Sequence, residues 1–147
     1  MDFKEQLKID EGLRLKPYRC PAGLWTIGYG WQIAAHQFPD DIASYFRLHD
    51  AITEEMADRL LWIASGAACL QCHGVFTDFH LFTDRRQDAL ANMMYNLGVG
   101  SFCKFKKMIA AIEAGDWNKA ADEATDSAWF KQVGKRAERI VKELREG

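Results

Sequence analysis

Apolar residues recur at helical spacing along most of this chain and switch to another rhythm in one stretch near its start. Over residues 2–11, Phe3, Leu7 and Ile9 form an apolar side, Asp2 stands where an N-cap belongs, and Gly12 stands where a glycine closes a helix. Residues 13–30 lose that period. Tyr18, Leu24, Trp25, Ile27 and Tyr29, broken by Pro17, Pro21, Gly23, Gly28 and Gly30, read as short strands joined by a tight turn at Pro21-Ala22-Gly23. Residues 31–52 are less patterned: Ala34-Ala35-His36, Phe38-Pro39, Ile42, Tyr45-Phe46 and His49 fit a third strand or a helical turn, and the expectation is a loop with a short helix near 40–47.

From Thr53, a capping residue, the repeat Met56, Leu60, Ile63, Ala67, Leu70 predicts a helix to about Cys72, and the run Leu60–Leu70 reads as buried. Residues 73–82 predict a short helix or packed loop. The next helix starts at Thr83-Asp84, with Asp84 and Gln87 at capping spacing; Ala89, Leu90, Met93, Met94 and Leu97 make it apolar on most faces before Gly98 ends it. A helix from Ser101 or Phe102 to Ala114, another capped by Asp116, and a last one from about Gly134 to Leu144 complete the pattern, with Trp129 and Phe130 ahead of the last. The chain thus reads as one α+β domain: an N-terminal lobe (12–52) with a short antiparallel sheet, a long connecting helix (53–72), and a mostly helical lobe (73–147) that takes in helix 2–11.

With 147 residues, 48% of them apolar, the chain can bury a core without metals or disulfides as staples. Its formal charge is −2, with acids gathered at Asp40, Asp41, Asp50, Glu54, Glu55 and Asp58 and lysines later at Lys104, Lys106, Lys107 and Lys135. That asymmetry is too weak for a nucleic-acid partner, yet it permits a locally positive cleft facing an anionic polymer. No run of eighteen apolar residues and no conventional signal peptide are present, so the expectation is synthesis in the cytoplasm without stable membrane insertion. Among the cysteines, Cys69-x-x-Cys72-His73 with His80 following spells zinc ligands; the apolar helix before it favours buried core, with a disulfide and a metal as the alternatives.

Candidate chemistry gathers in residues 11–30. Glu11 ends the first helix, where the dipole disfavours an anion, and the turn that follows carries a thiol, Cys20, and a hydroxyl, Thr26. A carboxyl so placed can donate a proton to a leaving oxygen, while a group across a cleft activates water, stabilises cationic character or attacks directly. A threonine hydroxyl can hold the water. An ordinary packed turn accounts for the same residues.

The stretch resembles the phage-type lysozymes, also called endolysins or muramidases, whose mark is Glu, eight residues, Asp or Cys, five residues, Thr, and an Ile-Gly-x-Gly run: here Glu11, Cys20, Thr26 and Ile27-Gly28-Tyr29-Gly30. The likeness runs on through Thr53-Glu54-Glu55-Met56-Ala57, through Arg86–Gly98, and through Trp129-Phe130-Lys131-Gln132 with Arg136–Ile140. It implies a lysozyme-like fold and hydrolysis of the bond between N-acetylmuramic acid and N-acetylglucosamine in bacterial peptidoglycan. It further implies Glu11 as general acid, Arg136 as its partner, and Gln32, Tyr95, Phe105 and Glu123 as substrate contacts. No metal or cofactor is implied. A monomer is expected, made in the host cytoplasm and acting on the wall after release, with a holin as the releasing agent.

Two positions depart from the family's commoner pattern. Cys20 stands where many members have aspartate, so either Thr26 and Cys20 hold a water for an inverting reaction, or Cys20 attacks the sugar and the reaction retains configuration. An exposed, reactive Cys20 would also be open to silencing by oxidation. Trp31 replaces a histidine and reads as a local stability change. Two other classes compete: a weakened relative that only binds peptidoglycan, and a cysteine protease pairing Cys20 with His36, His49, His73 or His80.

Overall fold

The computed structural model describes residues 2–147. Cα packing divides the chain into two units, Met1–Gly66 and Ala67–Gly147.

The first unit opens with α1 (Phe3–Glu11), in which Leu7 is buried. Asp2 holds the N-cap backbone conformation without a side-chain bond, and Gly12, at φ 71°, ends the helix by donating its N–H to the Lys8 carbonyl. Three antiparallel strands follow, β1 (Arg14–Arg19), β2 (Trp25–Gly28) and β3 (Trp31–Gln32), in that spatial order. The β1–β2 turn is the expected one: Pro21-Ala22-Gly23 is closed by Cys20 N–H to Leu24 O (3.0 Å) and Gly23 N–H to Cys20 O (2.7 Å). Register shifts between Arg14 and Tyr18, the span that holds Pro17, which has no N–H to give a ladder. The Leu15 carbonyl there accepts from Ile52 N–H at 2.9 Å.

The expected short helix is α2 (Asp40–His49), stopped by Asp50 in the left-handed region at φ 50°. Most of the preceding stretch is irregular, but Trp31-Gln32 adds the third strand; two residues are too few for a period to show.

Helix α3 (Glu54–Val75) starts as expected, with Thr53 Oγ1 accepting from Met56 N–H at 3.1 Å. Its run of apolar residues is not wholly buried, however. The covered row is Ala57, Leu60, Leu61, Ser65, Ala68 and Cys72, whereas Trp62 is 66% and Leu70 73% exposed. Apolar residues on nearly every side leave the pattern no polar face by which to choose an inward one. The Lys4 ammonium lies 3.9 Å from the Trp62 ring centroid and covers part of it.

In the second unit a single 3₁₀ turn, Phe79–Leu81, packs Phe79 against Phe76 and Phe82. Helix α4 (Asp84–Leu97) is buried along Ala89–Met94 and ends at Gly98. Its cap is Thr83, not Asp84: the Thr83 hydroxyl accepts from Arg86 N–H at 3.3 Å, and Gln87 donates instead to the Phe82 carbonyl at 2.9 Å. The expected helix 101–114 is broken into α5 (Val99–Phe102) and α6 (Lys106–Glu113), because Phe105 leaves the helical region at ψ 56°. Asp116 caps α7 (Trp117–Thr125) by accepting from Lys119 N–H, as its position predicts. Trp129 and Phe130 lie inside a helix, α8 (Ala128–Val133), which Ser127 caps, and Gly134 at φ 73° separates it from α9 (Lys135–Glu146). Ala137, Ile140, Val141 and Leu144 form the buried stripe of α9.

Candidate active site

Three residues of the first unit share one face of the sheet. Tyr18 pairs with Thr26 across β1 and β2, and Thr26 pairs with Gln32 across β2 and β3. Directly opposed residues of antiparallel strands point to the same side, so Tyr18, Thr26 and Gln32 form one row. Cys20, two residues beyond Tyr18, returns to that side by the alternation of an extended chain.

Thr26 is buried to 2% exposure. Its hydroxyl donates to the Leu24 carbonyl at 2.9 Å and also lies within hydrogen-bonding reach of the Cys20 sulfur. A hydroxyl has one proton, so it serves the carbonyl or the sulfur, not both. The half-buried Cys20 thiol is held below its usual range chiefly by a backbone hydrogen bond from Leu24, then by Thr26 and Ala22, against opposing desolvation. The tight turn therefore aims donors at the sulfur and favours its thiolate.

Glu11 is placed by the end of α1 and by Gly30. A side-chain carbon added at Gly30 would stand 2.7 Å from Glu11 Oε2 and 3.1 Å from its carboxyl carbon. The carboxylate rests against bare backbone, in space that a hydrogen at Gly30 leaves open. The charges of Glu11 and Cys20 both act on Tyr18, which places the acid, the phenol and the thiol in one electrostatic neighbourhood. Tyr18 was not singled out by its spacing; its place two residues before Cys20 on an extended segment is the signal that points to it.

Trp31 is buried, its indole N–H donates to the His36 carbonyl at 3.1 Å, and its ring stacks on Phe38. Such a residue holds the third strand to the loop that follows it. His36 is thereby engaged through both ring and carbonyl, and His49 packs against Tyr45 at 4.1 Å.

Tyr95, Phe105, Glu123 and Arg136 belong to the second unit. Tyr95 is half-buried on α4, and Arg136 donates through Nε to Oδ1 of the buried Asn92 at 2.8 Å. Phe105 sits edge-on to Trp129, whose indole N–H donates to Asn96 at 2.8 Å. Phe105 and Glu123 line one cavity of about 280 Å³ with Lys104, Lys106, Lys107 and Met108. Glu123 and Lys107 also line a neighbouring cavity of about 430 Å³, with Lys119, Asp116 and an alanine floor. None of the four cysteines is in a disulfide, and no cluster of three or more metal-binding side chains occurs among the described residues.

The phage lysozyme family model matches residues 8–146. The pre-baseplate central spike protein Gp5 of Enterobacteria phage T4 is 34% identical, over 96% of this chain but only 27% of its own length. Two relatives match over most of their lengths. A probable T4-type lysozyme 2 of Dictyostelium discoideum is 28% identical over 95% of this chain and 91% of its own. An endolysin of Acyrthosiphon pisum secondary endosymbiont phage 1 is 32% identical over 88% and 80%. A helical chain with a three-stranded antiparallel sheet, carrying Glu11 at the end of its first helix and Cys20 and Thr26 at one turn of that sheet, and matched almost from end to end, belongs to the phage lysozyme family.

Proposed function

We propose that this lysozyme-type hydrolase cleaves the β-1,4 bond between N-acetylmuramic acid and N-acetylglucosamine in bacterial peptidoglycan, with Glu11 as general acid and Cys20 as nucleophile. The observation that carries the reading is the turn whose donors converge on the Cys20 sulfur, in the same unit that seats the Glu11 carboxylate against Gly30. The Cys20 thiolate attacks the anomeric carbon as its bond to the leaving oxygen breaks, and Glu11 gives that oxygen its proton. Glu11, now a carboxylate, then takes a proton from water, which displaces the sulfur and regenerates the thiolate. Thr26 steadies the sulfur while its charge changes. Phe105 offers a sugar or peptide an apolar surface, with Lys107 and Glu123 beside it as ionic partners.

Digestion of purified peptidoglycan tests this, with the new reducing end and its anomeric configuration read out for wild type, Glu11→Gln, Cys20→Ala and Cys20→Asp. Glu11→Gln should lower the rate by about 10²- to 10⁴-fold, the usual worth of a positioned general acid. Wild type should retain configuration and release N-acetylmuramic acid reducing ends. Inversion by wild type would assign Cys20 to holding water instead. Wall binding with no cleavage by wild type would make the protein a binding module.

A further inference from the structure

We propose that Arg19 is a positioning residue for Cys20: its guanidinium, seated on the Trp25 ring, ties down the Gly23–Leu24 peptide of the turn that Cys20 closes. The inference rests on the reading of Cys20 as a member of the active site. Cys20 pins the turn through its own backbone, with its N–H donating to the Leu24 carbonyl at 3.0 Å and its carbonyl accepting from Gly23 N–H at 2.7 Å. Those two bonds hold the peptides on either side of the Gly23–Leu24 plane. The plane between them is held by Arg19, whose Nη1 donates to the Gly23 carbonyl at 3.0 Å.

Strand register puts Arg19 where it can do this. It lies directly opposite Trp25, and opposed residues share a face, so the guanidinium carbon comes to 4.6 Å from the indole centroid. A guanidinium is planar with donors around its edge, so it can lie on a ring and still give an N–H to a carbonyl. The plane it grips needs gripping, because Gly23, at φ 80°, sets no steric limit on a flip of the peptide that follows it.

The grip matters to the sulfur. The Gly23–Leu24 peptide is trans, a rigid unit whose C=O and N–H point opposite ways, so fixing its carbonyl fixes the aim of the Leu24 N–H. That N–H is the leading donor toward the Cys20 sulfur, and a cation at the carbonyl strengthens it. The influences on the sulfur are hydrogen bonds opposed by desolvation, so the arginine reaches it through the peptide and not by its field.

Arg19→Met keeps an apolar stem on the indole and removes the donor. Iodoacetamide labelling of Cys20, resolved by peptide mass across pH, gives the thiol's midpoint. The brace stands at the surface, where one hydrogen bond and one cation–π contact are modest, so the midpoint should rise by about half a pH unit. Labelling at neutral pH should then be about threefold slower, yet no slower at alkaline pH, since a more basic thiolate is the stronger nucleophile. Trp25→Leu changes no charge and should move the midpoint the same way by less, and the double variant should match Arg19→Met alone. Arg19→Lys, without the planar fork, should restore only part. With walls as substrate, Arg19→Met should lower kcat about threefold and move the acid limb of the pH profile up, leaving KM within about twofold.

An unmoved midpoint in Arg19→Met would overturn the proposal. So would a shift that molar salt abolishes, which marks a field at the sulfur, or labelling slowed equally at every pH, which marks a change of access. If wild type releases no reducing ends from walls, the glycosidase reading falls, and the labelling midpoint still decides whether Arg19 positions the thiol.

Discussion

Gly30 sets where the acid of this site can stand. Its φ of 81° lies in the left-handed region, and any side chain there would meet Glu11 Oε2. Gly30→Ala costs roughly 1–2 kcal/mol from backbone handedness, but the neighbour it strikes is the far end of a flexible side chain, which can swing aside. The expected outcome is a folded protein with displaced chemistry: a modest fall in unfolding midpoint and a loss of about a hundredfold in wall-cleaving rate. Activity lost only in proportion to stability would refute this. The cysteines give a second contrast. Cys20, held below its usual range, should be carbamidomethylated faster at neutral pH than a free thiol, whereas burial pushes the Cys72 thiol up to about 12 and should keep it unlabelled until the chain unfolds. Thr26→Val should slow Cys20 labelling at neutral pH, since the sulfur loses one donor.

At the scale of elements, the caps differ in what they contribute. Thr83 and Asp116 each accept a backbone N–H through the side chain, whereas Asp2 does not. Thr83→Ala and Asp116→Ala should each cost about 1 kcal/mol in chemical denaturation, and Asp2→Ala a few tenths. Asp50→Gly at the end of α2 should stabilise by up to about 1 kcal/mol, because it removes the strain of a side chain at φ 50°. The same distinction shows what was legible in the sequence. The helix ends at Gly12 and Gly98, the caps at Thr53 and Asp116, and the Pro21-Ala22-Gly23 turn rest on local chemistry, and each was readable. The break at Phe105 and the inward row of α3 are decided by what packs against them, and no spacing carries that. At the site, the motif brought out Glu11, Cys20 and Thr26; Tyr18 emerged only once strand register set it beside Thr26.

Across the molecule as a whole, Cys72 links stability to alkaline pH. A thiol whose folded pKa is raised adds stability that is intact below the unfolded value, near 9.0, and is lost as pH rises toward about 12. Over that window stability should fall by up to about 1.4 kcal/mol per pH unit from this group, and Cys72→Ala should flatten the slope measured by urea unfolding. The sheet carries a different global consequence. One of its edges is a strand of only two residues, Trp31-Gln32. The other is bent by an irregular register, lacks an N–H at Pro17, and has its Leu15 carbonyl already taken by Ile52. Neither rim offers a row of open amides on which a stranger's strand could crystallise, and the exposed Arg14, Lys16 and Arg19 of β1 add charge to the guard that Pro17 keeps against edge-to-edge pairing.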